Sequence, residues 1–410
     1  MPSAPSPVRV AIAGMLSLAV AMGIGRFAFT PLLPLMLAQH LVDLPGASWL
    51  ASANYLGYLL GALACTLQPW LWHHLPWLPP LRGGAVVRFG LAATCLLTLA
   101  MAVPLPALWP SLRFAAGVAS ALVFVFTSAW CLLQLAHMDA PALGGVMYAG
   151  PGAGIVVSGL AASAIVHWQQ SAATGWIGFG VLGAALSALV WPAFGAQADQ
   201  PATPGPGGVT AALPPDSDSR RERWLLATAY GLAGFGYIIT ATFLPVIARN
   251  AITGSAWLDL FWPLFGAGVV AGALLVTRVR PTRDPRLLLA LCYAVQAVGI
   301  AIGLWSPTVA GFAGGSLLLG LQFTTITFFA LLEARRLRPA HVHGFIGLLT
   351  VMYGTGQIAG PLLAAAVLAR SATPAQGFER SLAIAAAALL IGATMYLALA
   401  RWYPAPRARR

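Results

Sequence analysis

The sequence predicts an all-α integral membrane protein with twelve transmembrane helices in two pseudo-symmetric six-helix bundles. Of its 410 residues, 59% are hydrophobic and only 8% are charged, whereas soluble domains carry about a quarter charged residues. Apolar segments recur along the whole chain at the length of about twenty residues that crosses a bilayer. The two halves of the chain also share a sequence pattern at constant spacing. A soluble globule, a disordered chain and a disulfide scaffold are therefore excluded.

Each predicted span is a mainly apolar run between charged or Pro- and Gly-rich connections. The first six are Val8 to Leu37, Ala47 to Leu71, Val86 to Val103, Ala107 to Ala136, Leu143 to His167 and Trp176 to Ala196. The second six are Trp224 to Ala248, Ala256 to Val279, Arg286 to Trp305, Thr308 to Leu332, Phe345 to Ala369 and Phe378 to Trp402. Residues 197–223 are rich in Pro, Gly and charge and cannot bury apolar surface. The predicted organisation is a bundle over residues 1–196, a cytoplasmic linker over 197–223 and a second bundle over 224–410.

An internal repeat links the two halves. GIGRFAFTPLLP in the first span aligns with GFGYIITATFLP in the seventh, which pairs Gly23 with Gly234 at an offset of 211 residues. The same offset pairs Gly57 with Gly268 in the next span of each half. A constant offset through two helices and a loop predicts an ancestral duplication of a six-helix unit.

The basic residues indicate orientation in the membrane. All 22 are arginine, and most lie in the short connections that the positive-inside rule retains in the cytoplasm. Both termini are therefore expected on the cytoplasmic side of the membrane. The net charge of +12 then reports topology and not nucleic-acid binding. The four cysteines show no metal-ligand spacing, so neither a metal nor another cofactor is expected. The expected partners are lipid and a small-molecule substrate, for a chain that functions as a monomer.

The runs GIGRFAFTPLLPLM, GFGYIITATFLP and YGTGQIAGPLLA together resemble the YbfB/YjiJ-type branch of the major facilitator superfamily. This resemblance implies a bacterial inner-membrane secondary transporter whose substrate site lies between the halves. RFAAG in the fourth span also resembles a pattern that is usual there. The loop after the second span departs from the superfamily, because QPWLWHHLPWLPPLRGG lacks the acidic residue of the usual cytoplasmic motif.

Two arginines lie within predicted spans, where an unpaired charge is costly. Arg26 is near the middle of the first span, and its fixed charge and donor fork suit a carboxylate, phosphate or sulfonate. Its alternatives are a latch onto carbonyls at a neighbouring helix end, a counter-ion to a carboxylate, and snorkelling. Arg113 is a second candidate for substrate contact, although its position near the outer end of the fourth span would let its head group reach water. Tyr237 takes the place of Arg26 in the second repeat.

The resemblance implies that spans one, four, seven and ten line a central cavity, which adds Gln322 as a substrate-binding candidate. Secondary candidates lie on the small-residue-rich spans two, five and eleven: Asn54, Tyr148, Tyr353 and Gln357. Proton coupling needs a titratable group at depth. The two carboxylates nearest the bilayer are Asp259 and Glu333, and each could instead form an ion pair with a nearby arginine.

The predicted function is secondary active transport by alternating access of a small organic solute. An anion is favoured by Arg26, and proton coupling is left open. A drug or metabolite efflux pump of the same fold is the main alternative. A membrane-embedded enzyme would need a convergent set of catalytic groups that the sequence lacks, and a non-transporting receptor would bind solute without flux.

Overall fold

The computed structural model describes residues 6–74, 82–195, 219–252, 257–279, 284–338 and 342–404. Its described part is nearly all helical, and twelve helices in it are long and apolar enough to cross a membrane. In chain order they are α1 (Pro7–Ala38), α2 (Leu44–Gln68), α3 (Gly83–Ala100), α4 (Pro106–His137), α5 (Pro141–His167), α6 (Ala172–Phe194), α7 (Arg220–Ala251), α8 (Leu258–Val276), α9 (Pro285–Trp305), α10 (Val309–Leu337), α11 (Gly344–Leu368) and α12 (Pro374–Trp402). Each predicted span corresponds to one of these helices, with ends that differ by a few residues.

The start of α7 differs from the sequence prediction. The helix begins at Arg220, four residues before the predicted Trp224, because Ser219 caps it and accepts a hydrogen bond from the Glu222 amide at 3.2 Å. A side-chain cap of this kind satisfies an amide that has no partner within the helix. The last four residues of the predicted linker are therefore helical, and residues 197–218 of that linker lie outside the described residues.

The internal repeat is visible where helices cross. A Cβ atom added to Gly57 of α2 would lie 2.0 Å from the carbonyl oxygen of Phe114 in α4. A Cβ atom added to its counterpart Gly268 of α8 would lie 2.5 Å from the carbonyl oxygen of Leu317 in α10. Only a residue without a side chain permits such backbone contact. The same glycine thus makes the same helix crossing in each half, which confirms the predicted pseudo-symmetry.

The repeat is broken in α1. This span consists of an α-helix over Pro7–Leu18, a π-helix over Ala19–Ile24, a turn, and a second α-helix over Phe29–Ala38. Its counterpart α7 is one continuous helix over Arg220–Ala251, although both carry Gly-x-Gly at matched positions. Single-turn π-helical segments are frequent at functional sites. The interruption places Arg26 in a non-helical turn between two helical segments.

The two halves meet along a long interface that runs between two opposite faces of the bundle. The terminal face is the one at which α1 begins and α12 ends, and the distal face is the opposite one. In the distal half of the interface, hydrogen bonds join α1–α6 to α7–α12. They run from Thr30 Oγ1 to the Ala241 carbonyl at 3.0 Å, between Tyr55 and Thr242 hydroxyls at 2.9 Å, from Ser52 Oγ to the Ile358 carbonyl at 3.2 Å, and from Ser163 Oγ to the Asp259 carbonyl at 3.3 Å. These bonds join the two halves on the distal side.

Candidate functional site

Arg26 lies at the interruption of α1, between the two halves, and is only 2% exposed. Its Nη2 donates to Oε1 of Gln357 in α11 at 2.7 Å. The Nε2 of Gln357 in turn donates to the hydroxyl of Tyr237 in α7. Three of the candidates identified from the sequence thus form one hydrogen-bonded chain that crosses from the first half to the second.

The charge of Arg26 has no counter-charge among the described residues. No carboxylate lies within salt-bridge distance of its guanidinium there, and its Nε has no hydrogen-bond partner. A guanidinium keeps its proton when buried, so this charge persists in a region where desolvation is expensive. Among the described residues, neither the carboxylate counter-ion nor the carbonyl latch considered from the sequence is seen for Arg26, and its buried side chain does not snorkel to the membrane surface. The site offers a fixed cation with an unused donor.

Aromatic rings surround this cation. The guanidinium carbon of Arg26 is 4.1 Å from the ring centre of Tyr58, 5.1 Å from that of Tyr55 and 5.3 Å from that of Phe27. At these distances the electron-rich ring faces attract the cation. The rings offset part of the cost of burying Arg26 without providing a negative charge, so the site keeps its attraction for an anion.

Arg113 binds the backbone at the interruption of α1. In a regular helix the Arg26 carbonyl would accept from the amide of Thr30, but that amide bonds to the Phe27 carbonyl at 3.2 Å. Arg113 Nη2 donates to the Arg26 carbonyl at 2.9 Å, and its Nη1 donates to the Gly25 carbonyl at 3.2 Å. Arg113 is buried, so it turns into the protein and does not reach the outer boundary as its position in the sequence would have allowed. Its two terminal nitrogens hold the non-helical turn that carries Arg26.

Loss of this clamp gives a testable prediction. Arg113→Met keeps the apolar stem but leaves the Gly25 and Arg26 carbonyls without their donors, at about 1–3 kcal/mol for each unsatisfied group. We expect a clearly lower melting temperature of the purified protein and weaker substrate binding, with Arg113→Lys intermediate because its single ammonium keeps the charge but lacks the planar fork that reaches the two carbonyls from separate nitrogens. Arg88→Met is the matched control, since Arg88 also donates to a carbonyl, that of Trp191, but in a partly exposed position away from the site. Equal melting temperatures for Arg113→Met and Arg88→Met would contradict the clamp.

Of the other four binding candidates, one bonds to Arg113 and the other three are two tyrosines and a glutamine. Asn54 is buried and donates from Nδ2 to the Arg113 carbonyl at 2.8 Å, so it supports the clamp. Tyr353 is half-buried and stacks on Tyr230, with ring centres 4.7 Å apart. Tyr148 is half-buried and lies 6.3 Å from the ring of Phe124. Gln322 is buried, and its Oε1 has no hydrogen-bond partner among the described residues.

Asp259 and Glu333 lie near opposite ends of the bundle and are both ion-paired. Asp259, at the distal face, binds Arg249. Glu333, near the terminal face, is fully buried and binds Arg336 Nη2 at 2.5 Å. Every described carboxylate and imidazole lies in a connection or within about two turns of a helix end. The central layer that holds Arg26 and Arg113 is therefore positively charged in the part of the chain that the structure describes.

A charged cluster near the terminal face was missed from the sequence. Arg286 is fully buried and contacts three carboxylates, with Nη2 at 2.6 Å from Asp284, Nη1 at 3.4 Å from Glu222 and Nε at 3.5 Å from Glu333. It joins the ends of α7, α9 and α10. Burial disfavours the charged form of Asp284, but hydrogen bonds from the Arg286 side chain and amide outweigh it and hold the pKa of this carboxyl below its usual value. The sequence D-P-R before an apolar run was the available signal.

Among the described residues, no three His, Cys, Asp or Glu side chains lie close enough together to hold a metal ion. The described chemistry of the site consists of a cation, an amide, hydroxyls and aromatic rings. These groups can bind and orient a solute, and they offer no convergent nucleophile and base.

Comparisons with known proteins agree with this architecture. The family model described as "Uncharacterised MFS-type transporter YbfB" matches residues 18–397. Among solved structures, a point mutant of the nucleoside transporter NupG superposes with a TM-score of 0.69 at 13% identity, covering 95% of this chain and 99% of that one. Another structure of NupG gives 0.65 at 14% identity, covering 97% and 99%. A search of curated protein sequences finds no match. The likeness to NupG is one of fold.

Proposed function

The chain belongs to the YbfB-type family of major facilitator transporters, and from this premise we propose that it carries a small organic anion bound at Arg26. A multi-pass secondary transporter of this superfamily exposes a central site to each side of the membrane in turn. We further propose that the membrane is the bacterial inner membrane, that both termini are cytoplasmic and that the chain works as a monomer. The terminal face is then cytoplasmic, which agrees with the arginines concentrated in its connections.

The observation that carries the proposal is the buried guanidinium of Arg26, which has no carboxylate partner among the described residues. Leaving a permanent charge in this state is unfavourable, and a bound anion would remove the cost. Gln357 and Tyr237 belong to the other half of the chain and reach Arg26 through hydrogen bonds. An anion at Arg26 would therefore either replace the hydrogen bond from Arg26 to Gln357 or bind beside it. Because this bond joins the two halves, anion binding is linked to their relative motion.

The proposed roles of the remaining candidates follow from their contacts. Arg113 and Asn54 are positioning residues that hold the interrupted segment of α1, because both terminal nitrogens of Arg113 are engaged. Tyr237 and Gln357 connect the anion site to the second half. Gln322, Tyr148 and Tyr353 contribute side-chain surface to the cavity walls.

The experiment combines binding with flux. Purified protein is screened for thermal stabilisation by metabolite carboxylates, amines and neutral solutes, since a ligand that binds the folded state raises its melting temperature. The best carboxylate is then followed into sealed proteoliposomes. We expect carboxylates to stabilise, amines not to, and the stabilising carboxylate to exchange across the membrane. Stabilisation by amines alone would contradict the anion, and binding without flux would contradict transport.

We propose that Asp259 acts as an ion-pair partner in the distal gate and not as the site of proton coupling. Its carboxylate binds Arg249 in α7, and its backbone carbonyl accepts from Ser163 in the other half. We expect Asp259→Asn and Arg249→Gln to give the same phenotype in proteoliposomes, with easier access from the distal side and an unchanged pH dependence of uptake. Loss of pH-driven uptake in Asp259→Asn alone, with exchange intact, would make Asp259 the proton site. Glu333→Gln provides the same test at the terminal face, where Arg286 and Arg336 hold the carboxylate.

A further inference from the structure

Aromatic side chains form two walls beside Arg26, one from each half of the chain. The N-wall consists of Tyr58, Phe124 and Tyr148, with ring centres 6.4 Å apart between the first two and 6.3 Å between the last two. The C-wall consists of Tyr230, Tyr237, Phe323 and Tyr353. In it Tyr353 stacks on Tyr230 at 4.7 Å and on Tyr237 at 5.9 Å, and Tyr237 meets Phe323 edge to face at 5.1 Å.

The walls converge on the cation. Tyr58 of the N-wall stacks on the guanidinium of Arg26 at 4.1 Å. Tyr237 of the C-wall is joined to the same guanidinium through Gln357. Tyr58, Phe124, Phe323 and Tyr353 are half-buried, so none of these residues is fully covered by protein. A solute held by Arg26 therefore has ring faces on both sides.

The number of cations available limits the charge of the solute. Arg113 is the second guanidinium of the central layer, and both of its terminal nitrogens are used by carbonyls of α1. The Nε of each arginine has no partner, but the printed hydrogen bonds of the described residues engage only Nη2 of Arg26, so Arg26 is the cation left for a ligand in the described central layer. A single acid group matches one fixed charge, whereas a dianion would bring a second charge into a low-dielectric region without a partner.

Ring walls favour a flat, apolar body over a polyol. A sugar-like solute leaves several hydroxyls that need hydrogen-bond partners, and Gln357 already uses both ends of its amide within the protein. Aromatic solutes instead gain from offset-stacked and edge-to-face contacts with Tyr and Phe. Resting on the proposed anion function, we infer that the substrate is an aromatic monocarboxylate, with its carboxylate on Arg26 and its ring between the N-wall and the C-wall.

Matched probes test charge and aromaticity separately on the purified full-length protein. Benzoate and phenylacetate are compared with cyclohexanecarboxylate and cyclohexylacetate, which keep the charge but lack a π face, and with benzamide and phenylacetamide, which keep the ring but lack the charge. Apparent affinities are read from the rise in melting temperature with ligand concentration. We expect the aromatic acids to bind at least about tenfold more tightly than the saturated acids and the amides to give no shift.

Wall variants provide the second arm. In Tyr58→Leu and Phe124→Leu, the ratio of benzoate to cyclohexanecarboxylate affinity should fall towards one, and in Tyr58→Phe it should be kept. Because this ratio is measured within one variant, a general loss of stability cannot mimic it.

The possible failures point to different claims. Equal affinity for aromatic and saturated acids would overturn the aromatic substrate and leave the anion transporter standing. Equal affinity for acids and amides would overturn the anion site itself. Absence of a shift with all of these probes would also overturn the aromatic inference, and a shift with short aliphatic carboxylates would show in that case that the proposed function survives.

Discussion

Arg26→Gln should abolish substrate binding while leaving the protein folded. Glutamine removes the only central cation that we assign to the substrate, and loss of one partner from a buried charge pair costs about 2–5 kcal/mol. The Kd of the carboxylate that stabilises the wild type best should therefore rise by at least about thirtyfold. Arg26→Lys should keep part of the affinity, because the charge survives but the planar fork does not. Binding is measured by thermal shift and by uptake into proteoliposomes.

The control for this prediction is Arg88→Gln, which removes the same charge from a residue that stacks on Trp191 and bonds to its carbonyl. This variant should bind and transport like the wild type. Arg26→Gln should melt at or above the wild-type temperature, since an unpaired buried charge has been removed. Unchanged affinity in Arg26→Gln, Arg26→Ala and Arg26→Lys alike would eliminate Arg26 as the anion site.

Gly57→Ala should severely destabilise the protein. The added Cβ atom would lie 2.0 Å from the Phe114 carbonyl oxygen, and because that oxygen belongs to the backbone of α4, two whole helices would have to separate. Overpacking of this kind costs about 1–3 kcal/mol or more, and displaced backbone falls at the upper end. We expect a large drop in melting temperature and in yield of folded protein. Gly268→Ala, the counterpart in the second half, should show the same effect in α8.

Gly178→Ala and Gly314→Ala are the matched controls, because a Cβ atom at either position meets no atom within 4 Å. Alanine is a better helix former than glycine by about 1 kcal/mol, so these two variants should be neutral or more stable. The same substitution of glycine by alanine should therefore lower the melting temperature at Gly57 and Gly268, and should leave it unchanged or raise it at Gly178 and Gly314. If Gly57→Ala melted together with Gly178→Ala, the close crossing of α2 and α4 would be refuted.

The sequence was sufficient for the fold because the bilayer constrains it strongly. A span must be apolar over about twenty residues and must satisfy its own backbone, so each of the twelve helices leaves a clear signal. The offset of 211 residues also carried over into structure, since Gly57 and Gly268 occupy equivalent crossings. Helix α7 begins at Arg220, earlier than predicted, because a cap at Ser219 and an ion pair at Glu222 extend the helix beyond the apolar run.

The interruption of α1 could not have been predicted from its own residues. Both α1 and α7 carry Gly-x-Gly and a later proline, yet only α1 is interrupted. The difference is Arg113, which lies 87 residues after Arg26 in the chain and supplies donors to the released carbonyls. Phe114 and Leu317 make equivalent contacts with Gly57 and Gly268, so the residue that matches Arg113 in the second half is Ser316, whose short side chain cannot act as such a clamp. Local sequence permits the interruption, and a distant side chain decides it.

The site could be predicted only in part, because its contacts also depend on residues that are distant in the sequence. Arg26, Tyr237 and Gln357 were each identifiable as polar groups in apolar spans, but their hydrogen-bonded chain depends on how α1, α7 and α11 pack. Arg286 is the first residue of the ninth predicted span, and its burial against Asp284, Glu222 and Glu333 arises only when three helix ends meet.

The most direct test of the account is whether position 26 can be reached from water. Arg26→Cys is introduced after replacement of the native Cys65, Cys95, Cys131 and Cys292, and membrane-impermeant anionic thiol reagents are added to vesicles of either orientation. Gln170→Cys and Arg221→Cys, which are exposed on the distal and terminal sides, report each face. We predict labelling of position 26 from the terminal face, slowed by the substrate carboxylate. Absence of labelling from both faces, with both reporters modified, would mean that Arg26 is a sealed structural cation and would contradict the account.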